Sequence, residues 1–367
     1  MSGRSIQLEF EGCAPVSGGG EERTSFQFPP TRYQGSKRKV ARSIIEGLKH
    51  LDYHTVLDAF GGTGAVSHAF KAAGKSVTYN DILAFNHQVG LALIENPTVR
   101  LPPESSNSLG RLREGATRDD FISRTFSGIY FTDEENAWLD TAVANVRAMT
   151  GRYSRAIAWF ALIQAALAKR PYNLFHRRNL YMRTAEVARS FGNKASWDRS
   201  FEEHFRRFVL QANAAIFDSG VACAALCGDS LDVQGDFDLV YIDPPYINRN
   251  GVGVDYRDFY HFLEGMVRFD DWSGLLDRGS RHLRLARRRD PWSDAATCRE
   301  KYRRLFDRFR GSILALSYRS DGIPSVDELQ SMMADVKRRV RATQDGEYQY
   351  ALSTRRGTRQ VLLVGEG

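Results

Sequence analysis

Cysteine is scarce. Among 367 residues only Cys13, Cys223, Cys227 and Cys298 occur, too few and too scattered for a disulfide framework. Cys223 and Cys227 sit in an apolar stretch and read as buried thiols rather than ligands. No histidine cluster offers metal-ligand spacing, so no metal is expected. Long apolar runs are missing as well. None can span a bilayer, and residues 17–22 are polar where a secretion signal would be apolar. A cytoplasmic protein with no membrane contact is the expectation. The chain has no internal repeat. Its one glycine-rich turn, Gly61 to Gly64, is not the G-x-G-x-x-G dinucleotide fingerprint, because the third position after Gly64 is Ser67.

What is present suits a globular protein of about two domains, at roughly 150 residues each. Hydrophobic residues make up 42% and charged residues 26%. The formal net charge is +7, which fits a polyanionic partner. Arginine supplies much of it and suits bidentate contacts to phosphate and guanine better than lysine does.

Residues 55–59 read as a strand, Gly61 to Gly64 as a loop, 65–73 as a helix stopped by Gly74, and 76–79 as a second strand ending at Asn80-Asp81. This strand–helix–strand unit predicts an α/β protein with a parallel sheet. From about 91 to 214 helical periodicity dominates, over 134–149, 155–169 and 201–217. Alternation returns at 221–226, followed by an apolar strand over 239–242. Residues 255–267 read as a helix. Residues 270–310, with Trp272 and Trp292 among dense charges, read as a second insertion. A strand over 312–317, a helix over 326–337 and a hairpin of strands 347–352 and 359–364 joined through Arg355-Arg356-Gly357 complete the chain.

The most informative stretch is Asp243-Pro244-Pro245-Tyr246. The two prolines end the strand before them, which pins Asp243 at a strand's carboxyl end, where open α/β sheets bind ligands. One acceptor and one flat ring in rigid geometry suit a planar base that carries an amine. Hydrogen bonds from an adenine amine to Asp243 and to a proline-turn carbonyl, that of Pro244, would localise its nitrogen lone pair for attack on an electrophilic methyl. Tyr246 could stack on the base once it leaves the duplex, its ring face rather than its hydroxyl acting. The bland alternative is a strand-ending turn capped by Asp243.

Asp58-Ala59-Phe60-Gly61-Gly62-Thr63-Gly64 follows a strand and opens a helix, so backbone can approach a ligand closely. Asp81, at the second strand's end, stands where doubly wound folds bind a ribose hydroxyl. A nucleoside without a pyrophosphate is favoured. Tyr33-Gln34-Gly35-Ser36-Lys37 could close over the far end of such a ligand, or be a basic surface turn. Gly228-Asp229-Ser230 could touch the ligand's adenine, or cap a helix.

Together these residues, in this order, resemble the Dam-type adenine-specific (N6) DNA methyltransferases. Residues 259–263 and 314–318 are similar to later elements of that family. The resemblance implies a Rossmann-like S-adenosylmethionine-dependent methyltransferase fold. Its features would be a mostly parallel twisted sheet, a C-terminal antiparallel hairpin and a largely helical insert domain. It implies S-adenosylmethionine as donor, adenine in double-stranded DNA as acceptor, and a cognate restriction endonuclease as companion. Carried over, Tyr33, Lys37, Asp81 and Asp243 match cofactor contacts, Phe60, Gly62 and Gly64 the glycine loop, and Asp243, Pro244 and Tyr246 the catalytic motif. The expected division is a loose N-terminus (1–27), a catalytic domain (28–90 and 218–367), a target-recognition insert (91–217) and a further insertion (268–310). The oligomeric state is left open. Methylation of RNA or another amine, and DNA binding without catalysis, remain alternatives.

Within the insert, Lys169, Arg170, Arg177, Arg178 and Arg183 alternate with Tyr172, Phe175, Asn179 and Tyr181. The cations can neutralise phosphates, the rings can wedge a vacated stack, and Asn179 can read a base edge. The alternative is a solvated loop with its aromatics in the core. Arg284 and Arg287 to Arg289 form a second basic run, which either contacts DNA or is merely solvated.

Overall fold

The computed structural model describes residues 27–186, 194–288, 290–347 and 359–367. The expected loose N-terminus lies almost wholly outside them, as do residues 348–352 and the turn at 355–357.

The chain opens with helix α1 (Ala41–Leu48), strand β1 (Thr55–Asp58), helix α2 (Ala65–Ala72), strand β2 (Ser76–Asp81) and helix α3 (Ala84–Gly90). Six helices follow: α4 (Phe121–Phe126), α5 (Asp133–Arg147), α6 (Arg152–Ala168), α7 (Tyr181–Thr184), α8 (Lys194–Asp198) and α9 (Phe201–Ala215). Next come β3 (Ala224–Cys227), β4 (Leu239–Ile242), the short β5 (Ile247–Asn248), and helices α10 (Tyr256–Phe259), α11 (His261–Val267), α12 (Phe269–Leu275) and α13 (Cys298–Arg308). The chain closes with β6 (Ile313–Arg319), β7 (Gly322–Ile323), α14 (Val326–Ala334), β8 (Arg339–Glu347) and β9 (Arg359–Glu366).

Seven strands form one sheet in the order β3-β2-β1-β4-β6-β9-β8. The first five run parallel, while β9 pairs antiparallel with both β6 and β8. This is the mostly parallel sheet with a C-terminal antiparallel pair that the resemblance implies. Strand order reverses between β1 and β4, which opens a crevice beyond their carboxyl ends.

Alternation in the strands sends side chains to two cores. Val56, Tyr241 and Ala315 join one cluster, Leu57, Val240, Leu314 and Leu316 the other. Helices α13 and α14 cover the second face through Tyr302, Leu305, Phe306, Leu329 and Met333. The first core runs without a break from the sheet into the insert, where Leu139, Phe160, Phe205 and Phe208 belong to it. Every residue of α6 from Ala156 to Ala168 is buried, as expected of a helix that is apolar all round. Its neighbours α5 and α9 are fixed at their starts by capping boxes, Thr132 with Glu135 and Ser200 with Glu203.

Two elements differ from the sequence reading. The first hairpin strand begins at Arg339 rather than 347, because an edge strand tolerates outward charges such as Arg339 and Arg341. The helix expected over 255–267 is two, broken at Tyr260 (φ −122°, ψ 19°).

Candidate active site

Three carboxylates converge beyond the parallel strands. Asp58 ends β1, Asp81 ends β2 and Asp243 follows β4. All three line one cleft of about 300 Å³.

The loop after β1 is held from both sides. Ala59 N donates to Tyr241 O at 3.0 Å and Gly61 N to Asn80 O at 2.7 Å. The Asn80 amide donates to Ala59 O and Gly228 O, tying three loops together. Glycine is required at 61, where an added Cβ would lie 2.0 Å from the Tyr79 ring. It is also required at 62 and 64, whose φ angles are +51° and +75°. Gly64 then caps α2.

Asp81 accepts from Gly62 N at 2.9 Å, Leu83 N at 2.8 Å and the Asn86 amide at 3.1 Å. Burial nevertheless pushes its carboxyl up to about 6. Asp58 is worse off. Its Oδ2 accepts from the Ser67 hydroxyl at 2.5 Å, while its Oδ1 is buried without a partner. Burial, with the charges of Asp243 and Asp81 adding, pushes it up to about 7. A cleft with an orphaned carboxylate oxygen and other crowded acids fits a cationic ligand.

Asp243 is reached by Lys37, whose Nζ donates to Asp243 Oδ1 at 2.8 Å and to Tyr246 Oη at 2.7 Å. The Tyr246 hydroxyl donates to Asp243 in turn. Burial raises the Asp243 carboxyl, and Lys37 and Tyr246 oppose that rise. The described residues give Asp243 Oδ2 no donor. Pro245 lines the cleft, while Pro244 is buried beside it. The Tyr246 ring is packed edge-on to Tyr318, with centroids 5.4 Å apart, and the Lys37 ammonium lies 4.8 Å from its centroid. So the hydroxyl, which sequence reasoning set aside, is the engaged part of that side chain.

Tyr33 places Lys37. Its ring stacks on Tyr260 at 4.5 Å and on Tyr256 at 5.5 Å, which fixes the 33–37 segment against α10 and α11. Gln34 N also donates to the Tyr260 hydroxyl at 2.7 Å. Phe60 packs edge-on to Trp292 at 4.9 Å. Asp229 lines the cleft and accepts from Leu231 N at 3.0 Å in a turn; no helix follows it, so it caps none.

The sequence reading missed several cleft residues, among them Ile82, Glu264, Arg257 and Trp292. Ile82, directly after Asp81, is 67% exposed and offers an apolar ledge. An apolar residue after an acidic strand end is the signal that points to it. Glu264 accepts from Phe85 N at 3.2 Å. Arg257 and Trp292 come from distant segments, with no local signal. Among the described residues no group of histidines, cysteines or carboxylates could hold a metal ion, and no helix is long and apolar enough to cross a membrane.

The basic run of the insert divides. Lys169, Arg170, Asn179 and Arg183, expected on DNA, are buried and spent inside the protein. Lys169 Nζ donates to Trp197 O at 2.7 Å and pairs with Glu135 at 2.8 Å. Arg183 pairs with the same carboxylate at 2.6 Å. Burial works against the Glu135 carboxylate, yet Arg183 and Lys169 hold it below its usual range. Arg170 donates to Leu174 O, Tyr130 O, Arg177 O and Asn179, and burial lowers it to about 9. Tyr172, Arg177, Arg178 and Tyr181 remain exposed.

The D12 class N6 adenine-specific DNA methyltransferase model matches residues 33–310. The chain belongs to this family. Type II methyltransferase M2.HphI of Haemophilus parahaemolyticus is 30% identical over 248 residues, 66% of this chain and 72% of that protein. Type II methyltransferase M.NlaIII of Neisseria lactamica is 23% identical over 320 residues, 82% of this chain and 86% of that one. As a D12-class enzyme the chain methylates adenine N6 in DNA, and a methyltransferase of this family uses an S-adenosylmethionine donor.

Proposed function

We propose that methyl transfer occurs at the crevice between β1 and β4. There Asp243, Pro244, Pro245 and Tyr246 hold the adenine amine, and Tyr33, Lys37, Asp58, Phe60, Gly62, Gly64, Asp81 and Asp229 hold the donor. The observation that carries this reading is the convergence of Asp58, Asp81 and Asp243 on one cleft. S-adenosylmethionine, when bound, supplies a methyl group on a cationic sulfur. Asp58 meets that positive ligand with its unpartnered Oδ1, and Asp81 offers an acceptor to the ribose. Gly62 and Gly64 let the loop close on it. Asp243 Oδ2 and the Pro244 carbonyl accept hydrogen bonds from the two amine N–H groups, which localises the nitrogen lone pair for in-line attack, and one N–H proton leaves to solvent once the nitrogen carries the methyl group; positioning and oriented acceptors are the protein's contribution. Stacking of the base on Tyr246 requires the Lys37 ammonium to leave that ring, and its natural next partner is an anionic end of the donor.

Duplex DNA is the proposed partner, contacted by the exposed part of the insert run. Tyr172 is 58% exposed and sits with Asn173 at φ of +60° and +56°. Two adjacent left-handed residues cost on the order of 1–3 kcal/mol each. The buried Arg170 network holds that turn and presents the ring as a wedge for the vacated stack. Arg177 and Arg178 beside it suit phosphates. The type II designation of both relatives supports a companion endonuclease.

The test is incubation with methyl-labelled S-adenosylmethionine and duplex DNA, followed by nuclease digestion. Label is expected in N6-methyladenine, resistant to RNase, and lost with Asp243→Ala while the variant keeps the parent's melting midpoint. Full labelling by the Asp243→Ala variant would refute the assignment.

A further inference from the structure

The second basic run, about which the sequence is even-handed, forms a built arm. Residues 275–286 fold back on themselves. Leu276 bridges Leu285, Asp277 N donates to Arg284 O at 2.8 Å, and Ala286 N donates to Leu275 O at 2.7 Å. Leu285 is buried beneath. Arg284 is consumed by the arm, pairing with Asp277 at 3.2 Å and facing Asp258 at 3.8 Å.

Two anchors fix the arm beside the cleft. Arg257, which lines the cleft, donates to Ala286 O at 2.5 Å. Tyr130 Oη lies 2.7 Å from His282 O and 2.8 Å from Phe175 O. Phe175 N in turn donates to Phe259 O at 2.9 Å. One node therefore joins the arm, the insert turn that displays Tyr172, and α10 at the cleft wall.

Arg278, Arg281 and Arg287 project from this scaffold and are exposed. Arg281 and Arg287 have no carboxylate within ion-pair distance among the described residues, and Arg278 touches only the Ser273 hydroxyl at 3.4 Å. Arg288 follows them into the cleft wall. An exposed charge run on a mobile loop is ordinary solvated surface. Here Asp277 is spent on Arg284, the backbone is pinned, and the Tyr130 node ties the arm to the segment that carries the exposed Arg177 and Arg178. Guanidinium forks on a rigid edge match phosphate oxygens.

We propose that this arm is a second DNA-backbone contact, in which Arg278, Arg281 and Arg287 neutralise phosphates flanking the target adenine beside the insert turn. It rests on the site proposed above. The test measures binding of a duplex oligonucleotide as a function of salt, for the parent, for Arg278→Gln/Arg281→Gln/Arg287→Gln, and for the charge-matched Arg303→Gln/Arg304→Gln/Arg310→Gln on and just after α13. About 0.9 counterions are released per phosphate contact, so the arm variant should bind with a log–log salt slope shallower by roughly 2–3, at least about tenfold more weakly near 0.15 M salt. Its calorimetric S-adenosylmethionine affinity and its melting midpoint should match the parent. A slope within about half a unit of the parent, or an equal change in the α13 variant, overturns the arm. Arg281→Glu alone should weaken binding more than Arg281→Gln; equality counts against it too. Failure of the parent to label adenine at all would instead sink the site, so the two failures are separable.

Discussion

Asp58 should make cofactor binding pH-dependent. Burial and its neighbours push the carboxyl from 3.8 up to about 7. Its stabilising effect on the fold is fully present below the unfolded value and is lost as pH rises through 7. The shift of about three units corresponds to roughly 4 kcal/mol of strain on the ionised form. A cation placed beside Oδ1 relieves that strain and pulls the pKa back down. Binding should therefore release a proton below pH 7, and affinity should rise with pH. One unit below its pKa only about a tenth of the free enzyme carries the carboxylate. S-adenosylmethionine should thus bind about tenfold more weakly at pH 6 than at pH 8, with Asp81, raised to about 6, steepening the loss below that. Calorimetry in two buffers of different ionisation enthalpy measures the proton released, close to one per cofactor at pH 6. The Asp58→Asn variant should bind more weakly at pH 8 and show a flatter profile between 6 and 8. A flat profile in the parent, or the same proton release from Asp58→Asn, would show that another group is titrating.

Other perturbations test separate parts of the site. Tyr246→Phe keeps the packing on Tyr318 but removes the hydroxyl that holds Asp243 and Lys37; kcat should fall by about tenfold for a lost hydrogen bond to charged groups, and an unchanged kcat would return the role to the ring alone. Gly61→Ala drives a methyl group into the Tyr79 ring and should cost about 1–3 kcal/mol of stability in a melting experiment, along with most cofactor binding; a parent-like melting curve would mean the loop can yield. Arg170→Ala leaves the carbonyls of Leu174 and Arg177 and the Asn179 side-chain oxygen without their donor, while Tyr130 O keeps Arg183, and should cost on the order of 3 kcal/mol. DNA affinity should drop and cofactor affinity should hold, and equal loss of both would place Arg170 in the general core instead.

The sheet and the cleft were legible because their signals are local. A strand that ends in two prolines, a glycine turn that opens a helix and an acid at the next strand's end each specify backbone within a few residues. The edge strand β8 was placed late because the side chains that alternate with Arg339 and Arg341 at its start, Val340 and Ala342, are small and carry little apolar signal. The insert's basic run was harder for a different reason. Lys169, Arg170 and Arg183 look like surface cations, and no carboxylate lies within ten residues of Lys169 or Arg170. Lys169 and Arg183 pair with Glu135, and Tyr130 O and Trp197 O, from other segments, add acceptors beside the local ones of Arg170. A guanidinium can be buried only if nearly every N–H finds an acceptor, and that condition is tertiary. The same burial changes what the run does. Cations spent on carbonyl oxygens cannot meet phosphates, so they hold the strained turn at Tyr172 while Arg177 and Arg178 keep the exposed positions. Both sequence runs divide in this way, Arg177 and Arg178 staying exposed on one and Arg287 and Arg288 on the other, while Lys169, Arg170, Arg183 and Arg284 are spent on internal acceptors.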